Sequence, residues 1–267
     1  MKIAIVHNDQ DKSLGVVKNL KELIQNAGLT LDNQYPDIVI TVGGDGTFIS
    51  AVHKYFDQID SVRFIGIHTG HLGFYTDWRN YDIDKMIQVL RNDQAETVDY
   101  PILEITAKTS DGEHVFYAVN EAVVKRSVKT LEADVYIGNT ILENFRGDGM
   151  CVSTPMGSTA YNKSLGGAVI EPTLRAMQLT EIASINSQVF TTVNAPVVVA
   201  PDSEIIIKTK PAEDLILTCD GKVVAQNDIL ELSYKISHHH LQFDRFGHNN
   251  FWTRVKESFI GLPHASI

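Results

Sequence analysis

The chain has 267 residues, 43% hydrophobic and 21% charged, a globular composition long enough for one large domain or two small ones. Its formal net charge of −10 argues against a nucleic-acid-binding protein, which presents a basic face. No apolar run reaches the roughly 18 residues of a membrane span, and the apolar start is too short for a signal peptide, so the expected location is the cytoplasm.

Residues 2–6 read as a strand. Val16, Leu20, Leu23, Ile24 and Ala27 then recur at helical spacing, with Gly28 as the stop. Residues 37–42 read as a strand of a parallel sheet covered on both faces. A glycine turn follows, after which Phe48, Ile49, Val52 and Phe56 mark a helix. Residues 63–67 are a third strand, and Ile83, Met86, Ile87 and Leu90 mark another helix. This alternation predicts a Rossmann-like, doubly wound α/β domain over residues 1–99.

From Tyr100-Pro101 onward, strand signals dominate: 102–107, 115–124, 135–137, 205–208, 215–218 and 229–234. Turn pairs such as Asp111-Gly112, Gly138-Asn139, Asp220-Gly221 and Asn227-Asp228 separate them. One helix is expected over 173–183. Residues 100–247 therefore read as a mainly-β sandwich domain. Residues 248–267 read as an amphipathic helix returning to the first domain or to a partner subunit. Trp78 and Trp252 are read as packing residues, and Cys151 and Cys219 as buried free thiols. His238, His239 and His240 are consecutive in a strand and cannot all face one ion, so no metal site is assigned there or elsewhere.

The chemistry begins at Gly43-Gly44-Asp45-Gly46-Thr47. Ligands of open α/β sheets bind beyond the carboxyl ends of the strands. The glycines allow positive φ and close approach to phosphate, and the following helix offers N–H groups to an anion. Asp45 repels such a ligand, so it needs a chemical reason: holding magnesium, or accepting a hydroxyl proton. His53, His68 and His71 lie near this turn in sequence and could touch phosphate.

Three further segments carry donors and acceptors. Asn120-Glu121 lies in a β-hairpin region. Arg146-Gly147-Asp148-Gly149 lies between two β runs. Thr154-Pro155-Met156-Gly157-Ser158-Thr159-Ala160-Tyr161 precedes a short helix, where hydroxyls and helix N–H groups could seat a ribose or phosphate.

GGDGT after a hydrophobic strand resembles the superfamily of NAD kinases, diacylglycerol and sphingosine kinases, and 6-phosphofructokinases, which all phosphorylate hydroxyls. The ordered set GGDGT, N-E, R-G-D-G and T-P-x-G-S-T-A-Y resembles the NAD kinase family over nearly the whole chain. Gly70-His71-Leu72-Gly73-Phe74 is similar to the family's G-x-L-G-F segment. The second motifs of the lipid and sugar kinases are missing. Met156 departs from the family, in which many members carry a hydroxyl residue there.

The resemblance implies transfer of the terminal phosphate of ATP, or of polyphosphate in some members, to the 2′-hydroxyl of the adenosine ribose of NAD. It makes Asp45 the general base and gives phosphate to the N–H groups of Gly43, Gly44 and Gly46. Phe74 packs on the adenine side, and Asn120 and Glu121 hold ribose hydroxyls. Tyr161 stacks on a base in a pocket lined by Thr159 and Ala160 and continued by Asn162, Lys163 and Ser164. Arg146 and Asp148 contact the other half of the dinucleotide, from a neighbouring subunit. Asp220, Gly221 and Ala183 are further contacts. A divalent ion, Mg²⁺, accompanies ATP, and a homodimer or homotetramer is expected. The competing readings are another hydroxyl kinase of the superfamily and a non-catalytic NAD(P)-binding sensor.

Overall fold

The computed structural model describes residues 1–70, 73–76, 78–79, 82–92, 94–210, 212, 214–245 and 250–261. His71 and Leu72, and the expected boundary at 247–248, lie outside the described residues.

The elements run in chain order as β1 (Lys2–His7), α1 (Asp11–Asn26), β2 (Thr30–Leu31), β3 (Ile38–Gly43), α2 (Asp45–Lys54), β4 (Arg63–His68), β5 (Trp78–Arg79) and α3 (Ile83–Arg91). They continue as β6 (Glu96–Thr109), β7 (Gly112–Ala118), β8 (Glu121–Arg126), β9 (Leu131–Ile137), β10 (Thr140–Gly147) and β11 (Gly149–Ser153). Then come α4 (Tyr161–Ser164), β12 (Met177–Ile182), β13 (Val197–Val199), β14 (Ile205–Thr209), β15 (Leu215–Cys219), β16 (Lys222–Gln226), β17 (Glu231–Arg245) and α5 (Phe251–Phe259). They form two units, Met1–Tyr100 with His240–Ile267, and Pro101–His239.

The first unit is built on parallel strands in the order β2-β1-β3-β4, with the far end of β17 beside β4. Central β3 is buried at every position, as a parallel strand covered on both faces must be. Successive strand residues point to opposite faces. Ile65 and Ile67 pack with Leu20 and Ile24 of α1 and Met86 and Leu90 of α3. Phe64, between them, meets Phe48 of α2 at 5.9 Å. Each buried aliphatic or aromatic side chain of this kind contributes about 1.5–3 kcal/mol. Trp78 is buried as expected, whereas Trp252 is 52% exposed.

The second unit is a sandwich of antiparallel sheets. One face carries β10-β9-β14-β17 and the other β13-β12-β11-β8-β15-β16. Val124, Met150, Val152 and Leu217 from the second sheet share a core with Val135, Ile205, Ile207 and Tyr234 from the first. Among the described residues no helix is long and apolar enough to cross a membrane.

Three sequence expectations change. The helix expected over 173–183 is strand β12, paired to β11 and β13. Its polar face is buried too: Gln178 bonds Ala168 N and O at 2.8 and 3.1 Å, and Thr180 donates to Asn162 Oδ1 at 2.6 Å. Burial on both faces obscured the alternation that marks a half-buried strand. The single run expected over 115–124 breaks after Ala118, because β7 pairs with β6 whereas β8 pairs with β11 and β15. Helix α2 begins at Asp45, inside the glycine motif, because Gly44 O accepts from Thr47 N and Phe48 N at 3.0 and 3.2 Å.

Candidate active site

In the first unit, β3 delivers its buried carboxyl end into Gly43, and α2 starts two residues later. Asp45 thus occupies the first turn of a helix, where a carboxylate is favoured by the unpaired N–H groups. Its Oδ2 accepts from Phe74 N at 2.9 Å and its Oδ1 from Tyr75 N at 3.0 Å. Two charge-assisted bonds fix the carboxylate and leave further lone pairs for a proton or a ligand. Gly73 makes this possible, since a Cβ there would collide with the Asp45 carboxylate.

The glycines of the motif differ from expectation. Neither Gly44 nor Gly46 takes a positive φ. Both are exposed, and a Cβ on either would meet nothing within 4 Å. What they leave is open space beside Asp45. A Cβ on Gly43 would strike the Thr47 side chain.

The loop that holds Asp45 is itself held by α5. Arg254, 4% exposed, donates from Nη1 to Phe74 O at 2.5 Å and to Gly73 O at 3.4 Å. Burial lowers the Arg254 pKa to about 10, and the charges of Asp45 and Glu257 oppose that shift. The Phe74 ring lies against Phe259 at 5.7 Å and Phe251 at 6.0 Å. Phe48 stacks on Tyr75 at 4.7 Å, joining α2 to the same loop. Phe74 was expected on the ligand's adenine side; here its ring faces α5. Arg254 and Tyr75 were not anticipated. The available signal for Arg254 was a lone arginine between Phe251 and Phe259 on the apolar stripe of the last helix.

In the second unit, Asn120 and Glu121 sit at the corner between β7 and β8, and Asp220 folds onto them. Asp220 and Gly221 have φ of 49° and 76° and form a two-residue hairpin turn between β15 and β16. The Asp220 carboxylate accepts from the N–H groups of Val119, Asn120 and Glu121 at 2.8, 2.7 and 3.3 Å. Asp220, read from sequence as a ligand contact, instead orders the backbone of its neighbours. Glu121 is 8% exposed and its Oε2 is buried with no bonding partner. Burial, then the charge of Asp220, raise its pKa to about 7, against a bond from Tyr161 N–H.

The hydroxyl-rich segment docks on the same corner. Thr154 N donates to Asn120 O at 2.8 Å, and Thr154 Oγ1 donates to Val119 O at 2.7 Å. Gly157 packs on Asn120, where a Cβ would clash with the carbonyl. Thr159 donates to Met156 O at 2.9 Å, and Asn162 is fully buried on Thr180. These two point inward. Tyr161, 44% exposed, together with Lys163 and Ser164, forms the accessible edge.

Arg146, Asp148 and Ala183 form a separate group. Arg146 lies 5.3 Å from the Phe190 ring centroid and 3.7 Å from Glu132. Asp148 N donates to Ile182 O at 2.9 Å, its side chain is exposed, and Ala183 follows with φ 48°. Gly147 and Gly149 flank Asp148 because a Cβ on either would meet backbone of β12 or β8. This turn passes from one sheet to the other and is not a hairpin.

A family profile for the ATP-NAD kinase N-terminal domain matches residues 4–95, and one for the ATP-NAD kinase C-terminal domain matches 119–236. The NAD kinase of Lactobacillus acidophilus is 56% identical over 267 residues, covering 100% of both chains. The NAD kinase of Limosilactobacillus reuteri is 46% identical over 270 residues, covering 99% of this chain and 100% of its own. Among solved structures, a yeast NADH kinase complexed with NADH aligns with TM-score 0.83 at 21% identity, covering 100% of this chain and 89% of that one. An Archaeoglobus fulgidus NAD kinase in complex with ATP aligns with TM-score 0.79 at 22% identity, covering 98% and 100%.

Proposed function

The chain belongs to the NAD kinase family, and from that premise we propose that it transfers the terminal phosphate of ATP to the 2′-hydroxyl of the adenosine ribose of NAD, with Asp45 taking the hydroxyl proton. The observation that carries this reading is the Asp45 carboxylate, pinned by Phe74 N–H and Tyr75 N–H beside the open space over Gly44 and Gly46.

Phosphoryl transfer passes through a loose transition state, so placement and neutralisation of charge contribute most. A carboxylate fixed by two backbone donors is placed before substrate arrives. The first N–H groups of α2 face the same end of the strand and suit phosphate oxygens. In the second unit, Asn120 and Glu121 hold ribose hydroxyls and Tyr161 offers a base its ring face, with Ala160, Lys163 and Ser164 at the rim. Gly221 adjoins that corner, and Asp220 serves it by ordering residues 119–121. Arg146, Asp148 and Ala183 take the other half of the dinucleotide.

Among the described residues no three His, Cys, Asp or Glu side chains come together to hold an ion. Magnesium therefore enters with the ATP phosphates, as part of that substrate. In this reading residues 1–99 carry the reacting group and 100–247 bind the dinucleotide, in a homo-oligomeric cytoplasmic enzyme.

The test is incubation with NAD, ATP and Mg²⁺, with NADP read by an NADP-specific dehydrogenase. NADP accumulation is expected; bound NAD without NADP would overturn the kinase reading. Asp45→Asn is expected to keep NAD binding and lose about 10²–10⁴-fold in turnover, the usual worth of a general base. Full turnover in that variant would remove Asp45 from the proton transfer.

A further inference from the structure

Segment 183–196 joins β12 to β13 and lines a cleft of about 310 Å³ with Thr180, Ala183, Ser184, Asn194 and Pro196. It is held by two glutamates from opposite sheets. Glu143 Oε2, on β10, accepts from Val193 N at 2.8 Å. Glu181, on β12, accepts from Asn194 N at 2.9 Å through Oε1 and from the Thr192 hydroxyl at 2.8 Å through Oε2. Glu143 is 5% exposed, and its remaining oxygen, Oε1, meets no donor. The group within hydrogen-bonding reach of that carboxyl is the Glu181 carboxyl. Two acceptors facing each other in a buried site repel unless a proton lies between them.

The surroundings offer no other charge to settle the pair. Segment 183–196 contains no ionisable side chain. On β9, Val135 stands opposite Glu143, and on β11, Met150 stands opposite Glu181. Asp134 of β9 is bonded by Asn144 at 2.6 Å. Arg146, on the same strand as Glu143, is taken up by Phe190, Glu132 and Thr130.

We propose that Glu143 and Glu181 share one proton, and that this acid–carboxylate pair is the positioning device that docks segment 183–196, and with it Ala183, for binding of the dinucleotide. The second half rests on the reading of Ala183 as a dinucleotide contact.

Burial, and then the charge of Glu181, raise the Glu143 pKa to about 7 from the model value of 4.5, with Val193 N–H opposing. The docked form thus holds the proton more tightly than the detached form. Docking is strongest below the ordinary carboxyl pKa, weakens as pH rises, and reaches its weak limit above about pH 7. Between those limits the docking constant falls about tenfold per pH unit.

The test is amide hydrogen exchange at Val193 and Asn194 between pH 5 and 8, as protection factors corrected for the intrinsic rate, alongside the KM for NAD. Wild-type protection is expected to fall about tenfold per pH unit up to neutrality and then level off. Glu143→Gln supplies a permanent amide donor to Glu181 at nearly equal volume, so its protection should be high and independent of pH. Glu143→Ala should be poorly protected throughout. Flat wild-type protection, or a wild-type slope retained in Glu143→Gln, would overturn the shared proton. The KM for NAD should rise with pH in wild type more than in Glu143→Gln, with kcat little changed. Equal KM profiles alongside the expected exchange behaviour would overturn the dinucleotide half alone.

Discussion

At Gly73 the missing side chain is what allows Asp45 its two backbone donors. Gly73→Ala must either push the carboxylate aside or move the loop that fixes it. A displacement of about 1 Å at a reacting group costs on the order of 10²-fold in rate. The expected result is a kcat lowered by about that factor with a nearly unchanged KM for NAD. Wild-type kcat in the folded variant would show that Asp45 needs no such placement. The sequence made Asp45 conspicuous as a carboxylate among glycines. It could not reveal that the carboxylate turns to Phe74 and Tyr75, because their donors are backbone atoms some thirty positions away. Asp220 is similar. Its position in a turn was legible, but its three N–H partners lie about a hundred residues back, and a long-range backbone contact leaves no local pattern.

Among the elements, α5 shows how a short helix at the end of the chain supports chemistry near its start. Asn250 caps it, accepting from Thr253 N at 2.8 Å and from the Thr253 hydroxyl at 3.0 Å. Arg254 then reaches the carbonyls of Gly73 and Phe74. Arg254→Met keeps the buried stem but strips both carbonyls of their donor. The expected cost is about 1–3 kcal/mol in denaturant unfolding, the penalty of unsatisfied buried polar groups. Turnover should fall with it, because the loop that fixes Asp45 loses its clasp. A variant of wild-type stability and turnover would show that α5 is only a cover. The helical periodicity of the first unit was readable because its helices keep one wet face. β12 was misread because both its faces are buried and its inward polar residues, Gln178 and Thr180, resemble a solvent stripe.

For the molecule as a whole, the buried thiols give a simple measure of integrity. Cys151 and Cys219 are 0% and 1% exposed and lie on strands flanking β8. Burial pushes both pKa values up, so neither offers a thiolate to a reagent. An aromatic disulfide reagent should titrate neither thiol in the native protein and both in guanidinium. Rapid native labelling would show that the sandwich opens. This outcome was legible in the sequence, since both cysteines sit in apolar runs. The path of β17 was not, because the expected strand ended at Tyr234 and the structure carries it to Arg245.

That path bears on how the polypeptide leaves the ribosome. The first part of β17 pairs with β14 in one unit, and its last part pairs with β4 in the other, where Asp244 meets Arg63 at 3.1 Å and Thr97 at 2.7 Å. Residues 1–100 emerge first, yet the edge of β4 waits for a partner until residue 245 has been translated. At ~5–20 residues per second that interval lasts roughly 10–30 s, during which an apolar parallel edge is exposed to the cytosol. The middle of the chain can close its own sheets in that time. The segment synthesised earliest is therefore the one finished last, and a nascent chain stalled before residue 240 presents an edge open to chaperones and to aggregation.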